Sequence, residues 1–211
     1  MPLQTLIFLA FIPVVLSAIA GLIRFKKLEP PLHILFWLII VAVVTEVVSR
    51  VLWVQKISNL FLWPMYISAE FALIAWLYRY ELKKMFLAKI IPVLAISFTA
   101  FTCITWLMGK SAIFQPLQRF IESIFVLSFV LMFFYQTIKD MAIVHLERMP
   151  MFWVSAGLFI YFTGDIFIFI FSNYILSYSK QFNMQTWAIH AVFNTVLYIF
   201  YTLALCINPK K

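Results

Sequence analysis

The sequence predicts an all-helical membrane protein, a single bundle of seven transmembrane helices. The first observation is composition, because the 211 residues are 65% apolar and only 11% charged, with a mean hydropathy of +1.01. Soluble domains do not have this composition. The second is that the apolar residues are gathered into windows of about 20 residues, the length that crosses a bilayer as a helix. The connections are short and carry most of the charge, so we expect residues 1–211 to form one transmembrane domain.

Seven apolar windows follow one another along the chain, and each one justifies one predicted helix. They are residues 3–23, 32–54, 60–80, 89–108, 114–136, 151–172 and 186–207. The first window is uncharged and ends at a basic cluster that begins with Arg24, and the fourth window is also uncharged inside the membrane. The second, third, fifth and sixth windows each contain an acidic residue, and the seventh contains His190. The windows therefore differ in the polar residues that they carry.

Lysine and arginine are divided unequally between the two ends of the predicted helices. One side holds Arg24, Lys26, Lys27, Arg79, Lys83, Lys84, Lys89, Lys139, Arg148, Lys210 and Lys211, and the other holds Arg50, Lys56, Lys110, Arg119 and Lys180. Cytoplasmic ends carry the basic excess, which predicts an N-terminus outside and a C-terminus in the cytoplasm. The net charge of +8 follows from this asymmetry and suits anionic lipid headgroups, so it does not indicate nucleic-acid binding.

Four of the eight acidic residues lie inside four different predicted helices. They are Glu46, Glu70, Glu122 and Asp165. A carboxylate in hydrocarbon is costly unless it is paired, hydrated or protonated. We therefore expect these residues to face a shared interior and to mark the functional site.

Polar partners lie one helical turn from these acids, on the same helix faces. The pairs are Glu46 with Arg50, Tyr66 with Glu70, Arg119 with Glu122, Tyr161 with Asp165, and His190 with Asn194. With the predicted topology, helices two, three, five, six and seven direct these pairs toward the outer half of the bundle, which predicts an outward-facing, acid-rich chamber. The alternative is structural: Glu46 pairs with Arg50, Glu122 pairs with Arg119, and the rest are interhelical hydrogen bonds.

Two arginines face four carboxylates and a histidine in this predicted chamber. Neighbouring carboxylates in a low dielectric cannot all stay ionised, so at least one holds a proton or the set holds a cation. The leading hypothesis is binding, with possible transport, of a cation or small cationic solute. The four carboxylates and His190 would act as ligands or proton carriers, and Arg50 and Arg119 would tune their charge.

Two other functions stay open. In the first, the chamber reads a periplasmic ligand or pH and passes helix movement to a cytoplasmic or membrane protein partner. The second is metal-dependent hydrolysis, with His190, Glu46, Glu70 and Asp165 as a mixed nitrogen and oxygen shell. Seven-helix ceramidases and adiponectin receptors hold zinc with a histidine in helix two and a His-x3-His pair in helix seven. His190 and Asn194 resemble an incomplete version of that pair, so no cofactor is predicted and an enzyme is not favoured.

Matching residues also indicate a weak internal repeat at offsets of 114, 119 and 124 residues. The pairs are Pro2 with Pro116, Glu46 with Asp165, and Trp63 with Trp187. They predict repeats over residues 1–80 and 114–207 with a linker helix over 89–108. This order of three helices, one linker and three helices resembles that of SWEET-type transporters and, more loosely, opsins. Helix seven has no lysine for a retinal Schiff base.

A set of motifs spread over nearly the whole chain carries a further resemblance. It comprises Glu46, Asn59-Leu60, Tyr66-x3-Glu70, Tyr78-Arg79, Ile121-Glu122-Ser123, Pro150-x-Phe152-Trp153, Tyr161-Phe162-x-Gly164, Ser172-Asn173-Tyr174 and Trp187-x2-His190-x3-Asn194. The chain is similar in these residues to an uncharacterised family of small seven-helix proteins from Bacteroidota-type bacteria. The resemblance implies a multi-pass protein of the bacterial inner membrane, with the lipid bilayer as its surroundings, and implies no mechanism.

Overall fold

The structure, a computed structural model, describes residues 9–59, 61–83, 85–109, 111–139, 145–170 and 180–207. Within these ranges the chain forms seven α-helices and contains no strand, which confirms the all-helical class. The helices are α1 (Phe11–Arg24), α2 (Pro30–Val54), α3 (Leu62–Glu81), α4 (Ile91–Leu107), α5 (Ser111–Lys139), α6 (Pro150–Ile170) and α7 (Lys180–Cys206). Short 3-10 turns at Phe25–Lys27, Phe86–Lys89 and Leu146–Arg148 lie in three of the connections.

Four segments in the described part are long and apolar enough to cross a membrane. They are Pro30–Val54, Pro116–Lys139, Pro150–Ile168 and Met184–Cys206. Helix α4 is apolar but shorter, with 17 residues. Helix α3 has 20 residues, which include the charged residues Glu70, Arg79 and Glu81. Several residues used for the topology, repeat and motif predictions lie outside the described residues: Pro2, Leu60, Lys84, Lys110, Ser172, Asn173, Tyr174, Lys210 and Lys211.

Proline and glycine explain several helix boundaries. Pro30 and Pro31 begin α2, and Pro92 lies in the first turn of α4. Proline is tolerated there because the first backbone N–H groups of a helix have no partner inside the helix. Gly109 follows α4 with φ of 66°, a left-handed conformation that glycine adopts without a steric penalty and that commonly ends helices. Pro92 therefore begins α4 and does not bend its middle.

Two helices illustrate the packing of the bundle. Helix α3 packs against α2, α4 and α5, and α7 packs against α6, α1 and, over a smaller area, α2. Arg24 at the end of α1 donates a hydrogen bond to the backbone carbonyl of Cys206 at the end of α7. Large apolar side chains cover the outside, for example Ile23 and Leu107, both 78% exposed. An outer surface of this kind is stable in lipid, where apolar side chains need no cover.

Helices α6 and α7 approach each other closely at two glycines. A Cβ atom on Gly164 would lie 2.5 Å from the Phe193 ring, and one on Gly157 would lie 2.9 Å from Cβ of Phe200. Small residues let transmembrane helices pack at short distance. Gly164 directly precedes Asp165, so this close approach brings the Asp165 carboxylate next to α7.

Candidate functional site

The guanidinium of Arg119, on α5, is the centre of a buried polar cluster. It donates from Nε to Asp165 Oδ2 at 2.9 Å, and from Nη1 to Glu70 Oε2 at 2.5 Å and Glu122 Oε2 at 2.7 Å. Its Nη2 donates to the hydroxyl of Tyr161 at 2.6 Å. We call these five residues the Arg119 cluster. Arg119 is only 2% exposed, so its charge is balanced by protein groups and not by water.

Three helices supply the cluster, and helical spacing explains its local geometry. Arg119 and Glu122 are three residues apart on α5, and Tyr161 and Asp165 are four apart on α6, so each pair shares a helix face. Glu70 reaches the guanidinium from α3. The prediction that Arg119 pairs with Glu122 is confirmed by their salt bridge. The cross-helix pairs with Glu70 and Asp165 add charge-assisted hydrogen bonds that tie α5 to α3 and α6.

Tyr66 and His190 lie at the edge of the cluster. The Tyr66 hydroxyl donates to Glu70 Oε1 at 3.0 Å. His190 Nε2, on α7, lies 3.3 Å from the Tyr161 hydroxyl and 3.3 Å from Asp165 Oδ1. The His190 side chain is 21% exposed, whereas that of Asp165 is 0% exposed. His190 therefore connects the buried carboxylates to the surface of the bundle.

Two aromatic rings complete the surroundings of the guanidinium. Its central carbon lies 5.4 Å from the centre of the Tyr161 ring and 5.1 Å from that of Phe162, within the range of cation–π attraction. The sequence indicated Tyr161 as a site residue and gave Phe162 no role of its own. The sequence signal for Phe162 is its place directly after Tyr161, in the motif Tyr161-Phe162-x-Gly164.

The Arg119 cluster contains more acid than base. Its three carboxylates surround one guanidinium, which leaves two negative charges in excess when all are ionised. Within the described structure, Oε1 of Glu122 is buried and accepts no hydrogen bond. Oδ1 of Asp165 also lacks a hydrogen bond of good geometry, although His190 Nε2 is nearby. Unpaired charge in such a site is costly, so Oε1 of Glu122 is the natural place for an added proton.

Glu46 and Arg50 form a second, more exposed pair on α2. Arg50 Nη2 lies 2.7 Å from Glu46 Oε1, and the two side chains are 29% and 44% exposed, respectively. The Arg50 guanidinium also lies over the Phe11 ring, 4.8 Å from its centre. The structure thus shows the local pair that the structural alternative predicted.

Asn194 is half-buried on α7, one turn beyond His190. Over the residues that the structure covers, no hydrogen bond joins Asn194 to the Arg119 cluster.

Other pairs of polar side chains, which the sequence did not indicate, connect helices away from the Arg119 cluster. Tyr78 and Ser155 join α3 to α6 at 2.8 Å, and Gln118 donates to Thr105 across α5 and α4 at 2.6 Å.

The clustered donors do not fit a metal ion as they are arranged. In the described ranges, no group of three His, Cys, Asp or Glu side chains is positioned to hold a metal. Of the four predicted ligands, Asp165 and Glu70 bind Arg119, and Glu46 binds Arg50. The Arg119 guanidinium occupies the position among the carboxylates where a bound cation would lie.

Comparisons with known proteins identify no relative of this chain. No protein-family model, no curated protein and no solved structure matches it. The Arg119 cluster is therefore interpreted from its own geometry and charge.

Proposed function

We propose that this chain is a multi-pass protein of the bacterial inner membrane whose Arg119 cluster binds protons. Seven helices would cross the bilayer, with the N-terminus outside and the C-terminus in the cytoplasm. Four long apolar helices and the apolar outer surface support the membrane location, and the basic residues of the sequence support the orientation. The single observation that carries the function is three carboxylates around one buried guanidinium.

Two protons would make the cluster electrically neutral. The first binds Glu122 at Oε1, because Oε2 already accepts from Arg119 and Oε1 is the buried oxygen with no hydrogen bond. The second makes His190 an imidazolium beside Asp165. Arg119 and His190 then balance Glu70 and Asp165, and Glu122 is uncharged. In a low dielectric this neutral state is favoured over a doubly negative one.

His190 provides the path by which a proton reaches the cluster. The Tyr161 oxygen accepts from Arg119, so its own O–H is available to donate to Nε2 of a neutral His190. When Nε2 gains a proton it becomes a donor, and its partner changes to Asp165 Oδ1 at the same distance of 3.3 Å. This exchange of the hydrogen-bond partner of His190 therefore couples the pH outside the membrane to the hydrogen bonds of the Arg119 cluster.

A proton suits the site better than a larger cationic solute. Asp165 and Glu122 are 0% exposed, and Arg119 fills the space among the carboxylates. A solute would have to displace the Arg119 side chain and its four hydrogen bonds. A proton needs only Oε1 of Glu122, which has no hydrogen bond, and Nε2 of His190.

Proton transport and pH sensing are the two functions that such a site supports. Sensing is favoured by one observation: the cluster and His190 join α3, α5, α6 and α7 through hydrogen bonds and ion pairs. A change in protonation thus acts on four helices together. A partner protein would then receive the resulting helix movement.

Proton flux into liposomes separates these functions. The purified protein is reconstituted with a pH-sensitive dye inside the vesicles, and an inward proton flux is driven by a potassium diffusion potential. Transport predicts acidification with the wild-type protein and its loss in Glu122→Gln. The matched control is Glu147→Gln, which changes an exposed carboxylate outside the cluster and should leave the flux unchanged.

Infrared spectroscopy of the same samples tests whether the cluster binds a proton, which the sensing function requires. A difference spectrum between pH 5 and pH 8 should show a protonated-carboxyl band that disappears in Glu122→Gln and persists in Glu147→Gln. A band without flux supports sensing. The absence of both the band and the flux would contradict proton binding and would leave the cluster as a structural element.

A further inference from the structure

An open groove lies between α3 and α4, away from the Arg119 cluster. It has a volume of about 250 Å³ and runs along a face of α3 from Ala72 to Arg79. These residues are seven positions apart, a helical rise of about 10 Å. The groove exists because alanines meet where two helices would otherwise interdigitate: Ala72 and Ala75 on α3 and Ala95 on α4. The groove is open to the surroundings of the bundle.

The walls of the groove are apolar except at one end. Trp76 on α3 is 60% exposed, and Ile96 on α4 is 71% exposed, so both stand at its rim. Because α3 and α4 are antiparallel neighbours joined by a short connection, Arg79 lies at the end nearest this connection, together with Pro92. Arg79 is exposed and is the one charged residue in the lining.

Charge around this end favours an anionic occupant. Lys83 is exposed and follows Arg79 by one helical turn, with its amine 5.0 Å from the centre of the Tyr80 ring. Lys89 lies at the end of the same connection. Two acids lie near this end, Glu81 and Glu29. Glu81 is two residues from Arg79 and therefore lies on a different face of the helix, and Glu29 is not part of the groove lining. By the predicted topology, this end faces the cytoplasm, where basic pockets between helices bind anionic lipid headgroups.

We propose that this groove binds one anionic phospholipid. An acyl chain lies along the alanine walls, where it covers apolar surface that neighbouring side chains leave open. The phosphate contacts Arg79 as a charge-assisted hydrogen-bond acceptor. This binding rests on the membrane location and is independent of protons at the Arg119 cluster.

Native mass spectrometry of the detergent-purified full chain tests the proposal. The protein is mixed with phosphatidylglycerol or with phosphatidylcholine of the same chain length, and the retained lipid is counted. The wild-type protein should retain one phosphatidylglycerol in preference to phosphatidylcholine. Arg79→Gln should lower phosphatidylglycerol binding about fivefold, the effect of one basic contact at a membrane surface. Arg148→Gln is the matched control, because Arg148 is exposed in another connection and its loss should change little.

A second pair of variants tests the place of the acyl chain. Ala72→Phe puts a ring into the groove and should reduce the binding of both lipids. Ala100→Phe adds the same ring at an exposed alanine outside the groove lining and should not. Equal losses in Arg79→Gln and Arg148→Gln would overturn the headgroup contact. Equal binding in Ala72→Phe and Ala100→Phe would overturn the position of the chain, and equal retention of the two lipids would overturn the preference for negative charge.

Discussion

Replacing Arg119 with methionine removes the guanidinium that binds three buried carboxylates, those of Glu70, Glu122 and Asp165. Methionine keeps most of the length of the side chain and can pack against Phe162. Breaking a buried ion pair by removing one partner costs about 3–5 kcal/mol, because the other charge stays buried without compensation. For a chain of this size, this corresponds to a fall in the melting midpoint of roughly 10 °C.

Thermal unfolding in detergent, followed by tryptophan fluorescence at several pH values, measures this effect. The loss should be largest at pH 8 and should shrink toward pH 5, because protonation neutralises the carboxylates that Arg119 no longer balances. The sign is the reverse of ordinary acid denaturation, in which protonation weakens native ion pairs. Arg50→Met is the matched control: its partner is the half-exposed Glu46, and pairs in that setting contribute about 0–1 kcal/mol.

An Arg119→Met protein as stable as Arg50→Met at every pH would refute the reasoning. That result would mean that the carboxylates are already protonated or hydrated in the wild-type protein. A loss that grows as the pH falls would also contradict it, since the buried excess of negative charge would then not be the source of the instability.

Three further results are expected from the same unfolding assay. Glu122→Gln should keep or raise the free energy of unfolding at pH 8, since it removes one excess negative charge. A fall in this free energy of about 3 kcal/mol would contradict the excess of negative charge in the cluster. Tyr78→Phe should cost about 1 kcal/mol by removing the buried hydrogen bond to Ser155, and the double variant with Ser155→Ala should cost less than the sum of the two single changes. Gly164→Ala should lower the free energy of unfolding by roughly 1–3 kcal/mol, the usual cost of overpacking, because the new Cβ meets the Phe193 ring. An unchanged free energy of unfolding would show that the ring moves freely.

Helix positions follow closely from the apolar windows of the sequence. The window over residues 32–54 corresponds to Pro30–Val54, and that over 89–108 corresponds to Ile91–Leu107. Agreement is expected because a chain in lipid must satisfy its backbone hydrogen bonds within each helix. Crossing of the membrane by all seven helices stays a prediction, as do the repeat and the orientation. Helix α3 contains the charged residues Glu70, Arg79 and Glu81 within 20 residues, and α4 has 17 residues, fewer than the usual 20.

The site could be predicted in its residue types but not in its partners. Helical spacing correctly paired Arg119 with Glu122 and Glu46 with Arg50, because both pairs are local. Spacing carries no information on which helices are neighbours, so the contacts of Arg119 with Glu70 and Asp165 could not be derived. The chamber hypothesis grouped Glu46 with the other three acids; in the structure Glu46 pairs with Arg50 on its own helix, whereas Arg119 binds the other three.

The sharing of one guanidinium among three acids also constrains how this protein can change in evolution. A lone substitution of Arg119 removes the guanidinium from three carboxylates, whereas a lone loss of one acid lowers the excess of negative charge in the cluster from two to one. Relatives should therefore lose acids first and the arginine last. A sequence that lacks a base at position 119 should also lack at least two of Glu70, Glu122 and Asp165. The energies of these positions are coupled and do not add, so this order of change would appear as correlated substitution among four positions on three helices.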